Sequence, residues 1–172
     1  SSYGIVKLAI EKYLMMFANN GKIMPLIIRL SNPYGPYHYS AKQGVINIAL
    51  RSAIKNQKFT VWGNGENSKD YIYVEDFVQI LFKLIEMKKY NEIINIGSGT
   101  LSSLNSIISH INHLYPNFNW TQSDIKLFDV PNFELDLRKL KKNIKFFKFT
   151  NINDGIYKTN DWVKNQKNKK FN

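Results

Sequence analysis

The chain has no cysteine among its 172 residues, which excludes a disulfide framework and a thiolate metal centre and fits a reducing compartment. Histidine is scarce as well. His38, His110 and His113 are too few and too scattered for a metal cluster, and the spacing of the last two places them on the outer face of an amphipathic helix. No apolar run approaches the roughly 20 residues that cross a bilayer, and no charged, apolar, small-residue leader stands at the start. A cytoplasmic protein without a membrane span is the expectation. Internal repeats and low-complexity linkers are also absent. Gly97-Ser98-Gly99 invites a nucleotide-fingerprint reading, but it lacks the third glycine and a preceding βαβ start, so it is read as a strand-to-helix turn.

Acidic residues are few towards the end. From Arg138 to Asn172 there are 11 Lys or Arg against two acids, a local balance of +9 that leaves only +2 for the other 137 residues. Charge confined to one end reads as a solvated surface or tail, and Phe146, Phe147 and Phe149 read as readily as a core strand as a base-stacking platform. Nucleic acid is therefore not the expected partner. Attraction of an anionic small substrate is equally consistent with the charge.

What is present is a regular alternation of helices and short strands. Hydrophobic residues make up 44% and aromatics 14%, enough for a real core. The apolar spacing predicts a helix from Gly4 to Asn19, capped by Ser1 or Ser2 and closed by Gly21. A buried parallel strand follows at Met24–Leu30, then a Pro/Gly-rich loop, Ser31 to Pro36. At the carboxyl end of an α/β strand such a loop is where ligands bind. Further helices are expected at 43–55, from 75, from Ser102 or Ser103 to Pro116, from 137, and at 153–164. Strands are expected at 59–62, 69–74, 92–96 and near 126–128, with Gly63-Asn64-Gly65 as a tight turn or hairpin loop. The whole is α/β.

Tyr3 and Lys7 stand four residues apart, one helical turn from each other. The ammonium can favour the phenolate there, as a general base near neutral pH requires. Taken alone, the pair is as readily two residues of an ordinary helix.

Six short motifs in one order change that weighting. They are Ser2-Tyr3-Gly4-x-x-Lys7, Arg29-Leu-Ser-Asn32-Pro33-Tyr34-Gly35-Pro36, Val61-Trp62-Gly63-Asn64-Gly65, Lys69-Asp70-Tyr71-Ile72-Tyr73-Val74-Glu75-Asp76, Asn95-Ile96-Gly97-Ser98-Gly99 and Leu135-Asp136. In that order they resemble the extended short-chain dehydrogenase/reductase family, and within it the nucleotide-sugar epimerases and dehydratases typified by UDP-glucose 4-epimerase. The resemblance runs along essentially the whole chain. It implies the C-terminal part of a Rossmann-type NAD(P)-binding fold plus the small α/β substrate-binding domain. Residues 1–58 would carry the Tyr-x-x-x-Lys helix and the substrate loop, and 59–172 mainly the substrate domain, with about 70–97 returning to the Rossmann sheet.

The resemblance also implies roles. Tyr3 would take a proton from a sugar hydroxyl as hydride leaves for NAD (or NADP), and Lys7 would bond the nicotinamide ribose and lower the tyrosine pKa. Pro33 and Tyr34 would shape the cofactor pocket. Asn32 would bind substrate near its diphosphate, Gly35 would shape the sugar pocket, and Phe59 and Val61 would line the nucleotide-base pocket. Lys69 stands where most members place an arginine on the diphosphate, with Lys126 as a second such candidate; a lysine supplies the charge without the bidentate fork. Asp76 is expected to anchor a helix start, and no metal is implied. The family's glycine-rich pyrophosphate turn and its catalytic Ser or Thr do not precede Tyr3, so a missing N-terminal half of the same enzyme is the expected partner, with a homodimer for the complete protein. The functional expectation is an NAD(P)-dependent epimerase, or a dehydratase, acting on a nucleotide-diphosphate sugar. The alternative is a non-catalytic, degenerate domain that binds a sugar nucleotide or an oligomer partner.

Overall fold

The computed structural model describes residues 1–40, 42–124 and 132–166. Helix α1 (Ser2–Asn19) begins where the Ser1 hydroxyl accepts from the Gly4 N–H at 3.3 Å. It ends at Gly21, whose φ of +68° turns the chain while the Lys22 N–H bonds back to the Phe17 carbonyl. Strand β1 (Leu26–Leu30) follows, then the short β2 (Asn32–Tyr34) and helix α2 (Val45–Ile54). Next come β3 (Phe59–Trp62), β4 (Ser68–Tyr73), α3 (Val74–Glu86) and β5 (Glu92–Ile96). The chain continues through β6 (Leu101–Ser103), α4 (Leu104–Leu114), β7 (Trp120–Ser123), β8 (Asn132–Phe133), α5 (Arg138–Asn143) and α6 (Ile152–Asn165).

Three small sheets result. β1 pairs in parallel with β5 from Leu26↔Glu92 to Leu30↔Ile96, which requires the long crossover that contains α3. β4 pairs with β2 and β8 in parallel and with β6 antiparallel, and β3 pairs in parallel with β7. Helix α3 carries Glu75 and Asp76 in its first turn, suited to its positive end, and packs the fully buried Ile80 and Leu84 against Ile94 and Ile96. A second core joins α2, α4 and α6 through Ile46, Leu50, Ile107, Ile111 and Ile156, closed from the strand side by Phe59 and Val61.

Two expectations are corrected. Gly63 and Gly65 do form a turn, with φ of +76° and +74°, but the strands it joins are not a hairpin. β3 pairs with β7 and β4 with β2, β6 and β8, because each finds its partners elsewhere in the chain. The Gly97–Gly99 turn leads not directly into a helix but into β6, after which the Ser103 hydroxyl caps α4 by accepting from the Ser106 N–H at 3.1 Å. The strand expected near 126–128 lies outside the described residues. Among the described residues no helix is long and apolar enough to cross a membrane.

Candidate active site and sugar-nucleotide cleft

The α1–β1 unit sets the first part of the site. Arg29 on β1 forks onto Glu11 of α1, Nε to Oε1 at 2.9 Å and Nη2 to Oε2 at 2.7 Å. The guanidinium bonds hold the Glu11 carboxyl below its ordinary pKa. Because the chain reverses between helix and strand, that pair puts the start of α1 and the end of β1 at one end of the unit. Tyr3 lies about 12 Å along the helix from Glu11, and Asn32 about 10 Å along the strand from Arg29, in the same sense. Tyr3 is 72% exposed, and the Lys7 ammonium stands 5.5 Å from its ring centroid. The pair is thus presented to solvent at the end of the unit towards which β1 runs, and Pro33 in the loop after β1 is also exposed. None of the α1 residues is buried.

The loop itself is fixed from behind. The Asn47 side chain clasps Gly35, accepting from its N–H at 3.3 Å and donating to its carbonyl at 2.8 Å. Gly35 has φ of +132°, and a Cβ there would come 2.8 Å from Val74 Cγ1. Asn32 donates through Nδ2 to the Asp70 carbonyl at 2.9 Å, and its backbone lies opposite Tyr71. Tyr34 departs from expectation. Its ring is only 3% exposed, packed edge-on to Tyr73 at 5.7 Å, and its hydroxyl occupies the space where Gly155 lacks a Cβ. Burial, then the Asp76 charge, pushes its pKa well up. It is a side chain of the core.

Two register positions before Tyr71, Lys69 opens onto a cleft of about 630 Å³ between α2 and β3. Lys42, Lys58 and Lys69 line it, together with Thr60 and Trp62. Strand alternation decides which β3 residues take part. Phe59 touches the cleft from its floor while 94% of its surface is covered, and Val61 faces wholly into the core. Val61 therefore does not line the pocket expected of it. Thr60 and the 46%-exposed Trp62 do, and the period-2 pattern of Phe59 and Val61 was the signal for them. Lys126 lies outside the described residues.

At the rim, His38 packs where Gly44 lacks a side chain, and its carbonyl accepts from Arg51 Nη1 at 2.9 Å. Burial, then the Arg51 charge, lowers the His38 pKa. The unfolded chain, titrating near about 6.5, then binds the proton first, so stability falls as pH drops through that value towards the folded pKa. The urea midpoint should decline as the pH falls below about 6.5, and His38→Gln should remove part of that decline. An unchanged pH slope in the variant would exclude His38 as its source.

The glycine turn that resembles a phosphate cradle is already filled. Asp70, fully buried, accepts from Ser98 N at 2.9 Å, Ser98 Oγ at 2.6 Å and Gly99 N at 3.1 Å. The turn's donors hold a carboxylate of their own chain and are not open to a dinucleotide pyrophosphate. Asp76 is likewise structural: its carboxylate accepts from Thr150 N at 2.7 Å and Thr150 Oγ1 at 3.0 Å, tying the start of α3 to the approach to α6.

Known proteins share this architecture. The chain is 39% identical over 113 residues to the dTDP-4-dehydro-6-deoxyglucose reductase of Escherichia coli, an alignment covering 64% of this chain and 35% of that protein. It is 28% identical over 172 residues to a putative UDP-glucose 4-epimerase of Methanocaldococcus jannaschii, covering 96% of this chain and 54% of the other. The solved UDP-glucose 4-epimerase of Thermotoga maritima, with UDP-glucose, superposes with a TM-score of 0.87 at 25% identity over 95% of this chain and 53% of that one. The chain spans between about a third and about half the length of these relatives. The α/β architecture with parallel sheets is that of the Rossmann-type nucleotide-sugar epimerases. With residues 1–97 matching the NAD dependent epimerase/dehydratase family, the chain belongs to that family.

Proposed function

We propose that this chain is the substrate-binding and proton-transfer part of an NAD-dependent enzyme that epimerises a nucleotide-diphosphate sugar. The observation that carries the reading is the cleft of about 630 Å³, with Lys42, Lys58, Lys69 and Trp62 in its walls. Such a lining suits a diphosphate between the lysines and a base against the indole. β1, β5 and α3 would belong to the dinucleotide-binding sheet, and most of the chain from Phe59 onward to the substrate domain.

NAD, when bound, supplies the hydride acceptor. The exposed Tyr3, Lys7 and Pro33 at one end of the α1–β1 unit fit its nicotinamide end, whereas the donors of the Gly97–Gly99 turn are committed to Asp70. Tyr3 would take the proton from the sugar hydroxyl, and Lys7 would orient the ribose and stabilise the phenolate. Lys69 and Asn32 would hold the substrate at its diphosphate. Transient oxidation and re-reduction need only this general machinery, which favours an epimerase. The 39% identity to a reductase supports net reduction of a keto sugar as the second reading.

Titration calorimetry of the folded chain with UDP-glucose, UDP-galactose and dTDP-glucose tests the cleft. Binding is expected, weakened about tenfold or more by Lys69→Ala and about 5- to 150-fold by Trp62→Ala. Absence of heat with all three nucleotide sugars would overturn the reading.

A further inference from the structure

The stretch from Arg138 to Lys148 holds six cations in 11 residues and no acid. Its own chain neutralises two of them: Arg138 bonds Asp136 at 2.6 Å, and Lys139 lies 3.1 Å from Glu92. Lys141, Lys142, Lys145 and Lys148 are exposed and have no carboxylate partner among the described residues. Between them Phe146 is 90% exposed, more than any other large apolar side chain described. Core packing does not account for it. Phe147 and Phe149 meet edge to face at 4.9 Å, and Lys83 covers the Phe147 ring at 5.2 Å. Beside Phe147 lies a cleft of about 250 Å³ with Ile80, Leu137, Leu140 and Ile144 in its walls and Lys141 and Lys145 also lining it.

Cationic and apolar groups thus alternate along the chain from Lys141 to Phe149, with the four lysines and Phe146 exposed. A nucleic acid would match the charge and its bases could stack on Phe146, but it offers no hydrocarbon to meet the aliphatic cleft walls of Ile80, Leu137, Leu140 and Ile144. An anionic bilayer offers both, phosphates at its surface and hydrocarbon just beneath.

We propose that the α5 surface docks on the headgroup layer of an anionic phospholipid bilayer. Phe146 enters the interface, and Lys141, Lys142, Lys145 and Lys148 engage the phosphates. The association is peripheral and reversible, and it does not depend on the sugar-nucleotide reading, because none of these residues lines the Lys69 cleft.

Co-sedimentation with vesicles of phosphatidylcholine alone, and of phosphatidylcholine with an equal part of phosphatidylglycerol, tests this at low and high salt. Binding is expected to the anionic vesicles only and to fall at high salt. At about fivefold per lysine, the Lys141→Ala/Lys145→Ala pair should weaken it roughly 25-fold. Phe146→Ser, on the surface and without a packing role, should weaken it about tenfold. Far-UV circular dichroism confirms that each variant is folded. Equal binding to both vesicle types, or to neither, overturns the proposal. So does a folded Phe146→Ser variant that binds like the parent, or a short DNA duplex bound more tightly than the anionic vesicles.

Discussion

Gly97→Ala should destabilise the chain by about 3–4 kcal/mol, enough to leave much of it unfolded at 37 °C. An added Cβ would overlap the Asp70 carboxylate and come 3.3 Å from Ser31 Oγ. Asp70 cannot yield cheaply: it is fully buried, and moving it orphans the Ser98 and Gly99 N–H groups together with the Ser98 hydroxyl. Gly21→Ala makes the contrasting control. Gly21, unlike Gly97, has a positive φ of +68°, but nothing lies within 4 Å of its missing Cβ, so a backbone penalty of about 1 kcal/mol is all that it meets. Urea midpoints of the two variants should therefore separate widely. Equal midpoints would mean that the Asp70 clasp adds nothing to stability.

Tyr3→Phe carries the other large effect. In a polypeptide that joins this chain to a dinucleotide-binding half, it should lower kcat by about 10²–10⁴-fold and leave KM for the sugar nucleotide nearly unchanged. The phenol is 72% exposed and makes no packing contact that its loss would disturb, so a stability change is not expected. Steady-state rates with a sugar nucleotide, read beside an unchanged melting curve, check this. A loss below tenfold would remove Tyr3 from the proton-transfer step.

Local chemistry made the helices and four of the eight described strands legible, while the short β2, β6, β7 and β8 carried no comparable apolar pattern. Ser1 and Ser103 cap α1 and α4, and Gly21 ends α1, because caps and left-handed turns depend on a few neighbouring residues. Pairing was another matter. Gly63-Asn64-Gly65 has the composition of a hairpin turn, yet β3 joins β7, nearly 60 residues away, and no local signal records that choice. The motifs singled out Asn32 and Lys69, and the structure puts the Asn32 amide on the carbonyl of Asp70, the residue after Lys69. Of the two β3 positions, Phe59 reaches the cleft and the fully buried Val61 does not, while Thr60 and Trp62 line it from the other side of the strand. A motif marks the strand but not which of its sides opens to the cleft. The placement of Tyr34 was hidden for a related reason. The loop sequence marks its neighbourhood, while the missing side chain of Gly155, 121 residues later, decides where its ring goes.

Helix α1 is tied to the described residues chiefly by the Glu11–Arg29 fork, and it leaves Ile5, Val6, Leu8 and Tyr13 at least half exposed. Any surface that comes to cover it takes apolar area out of water, so its arrival must carry a negative heat-capacity change whatever the sign of its enthalpy. Tyr3 and Lys7 ride on the same rod. The calorimetric trace of that association would therefore also time the moment at which the pair proposed for proton transfer acquires a fixed orientation.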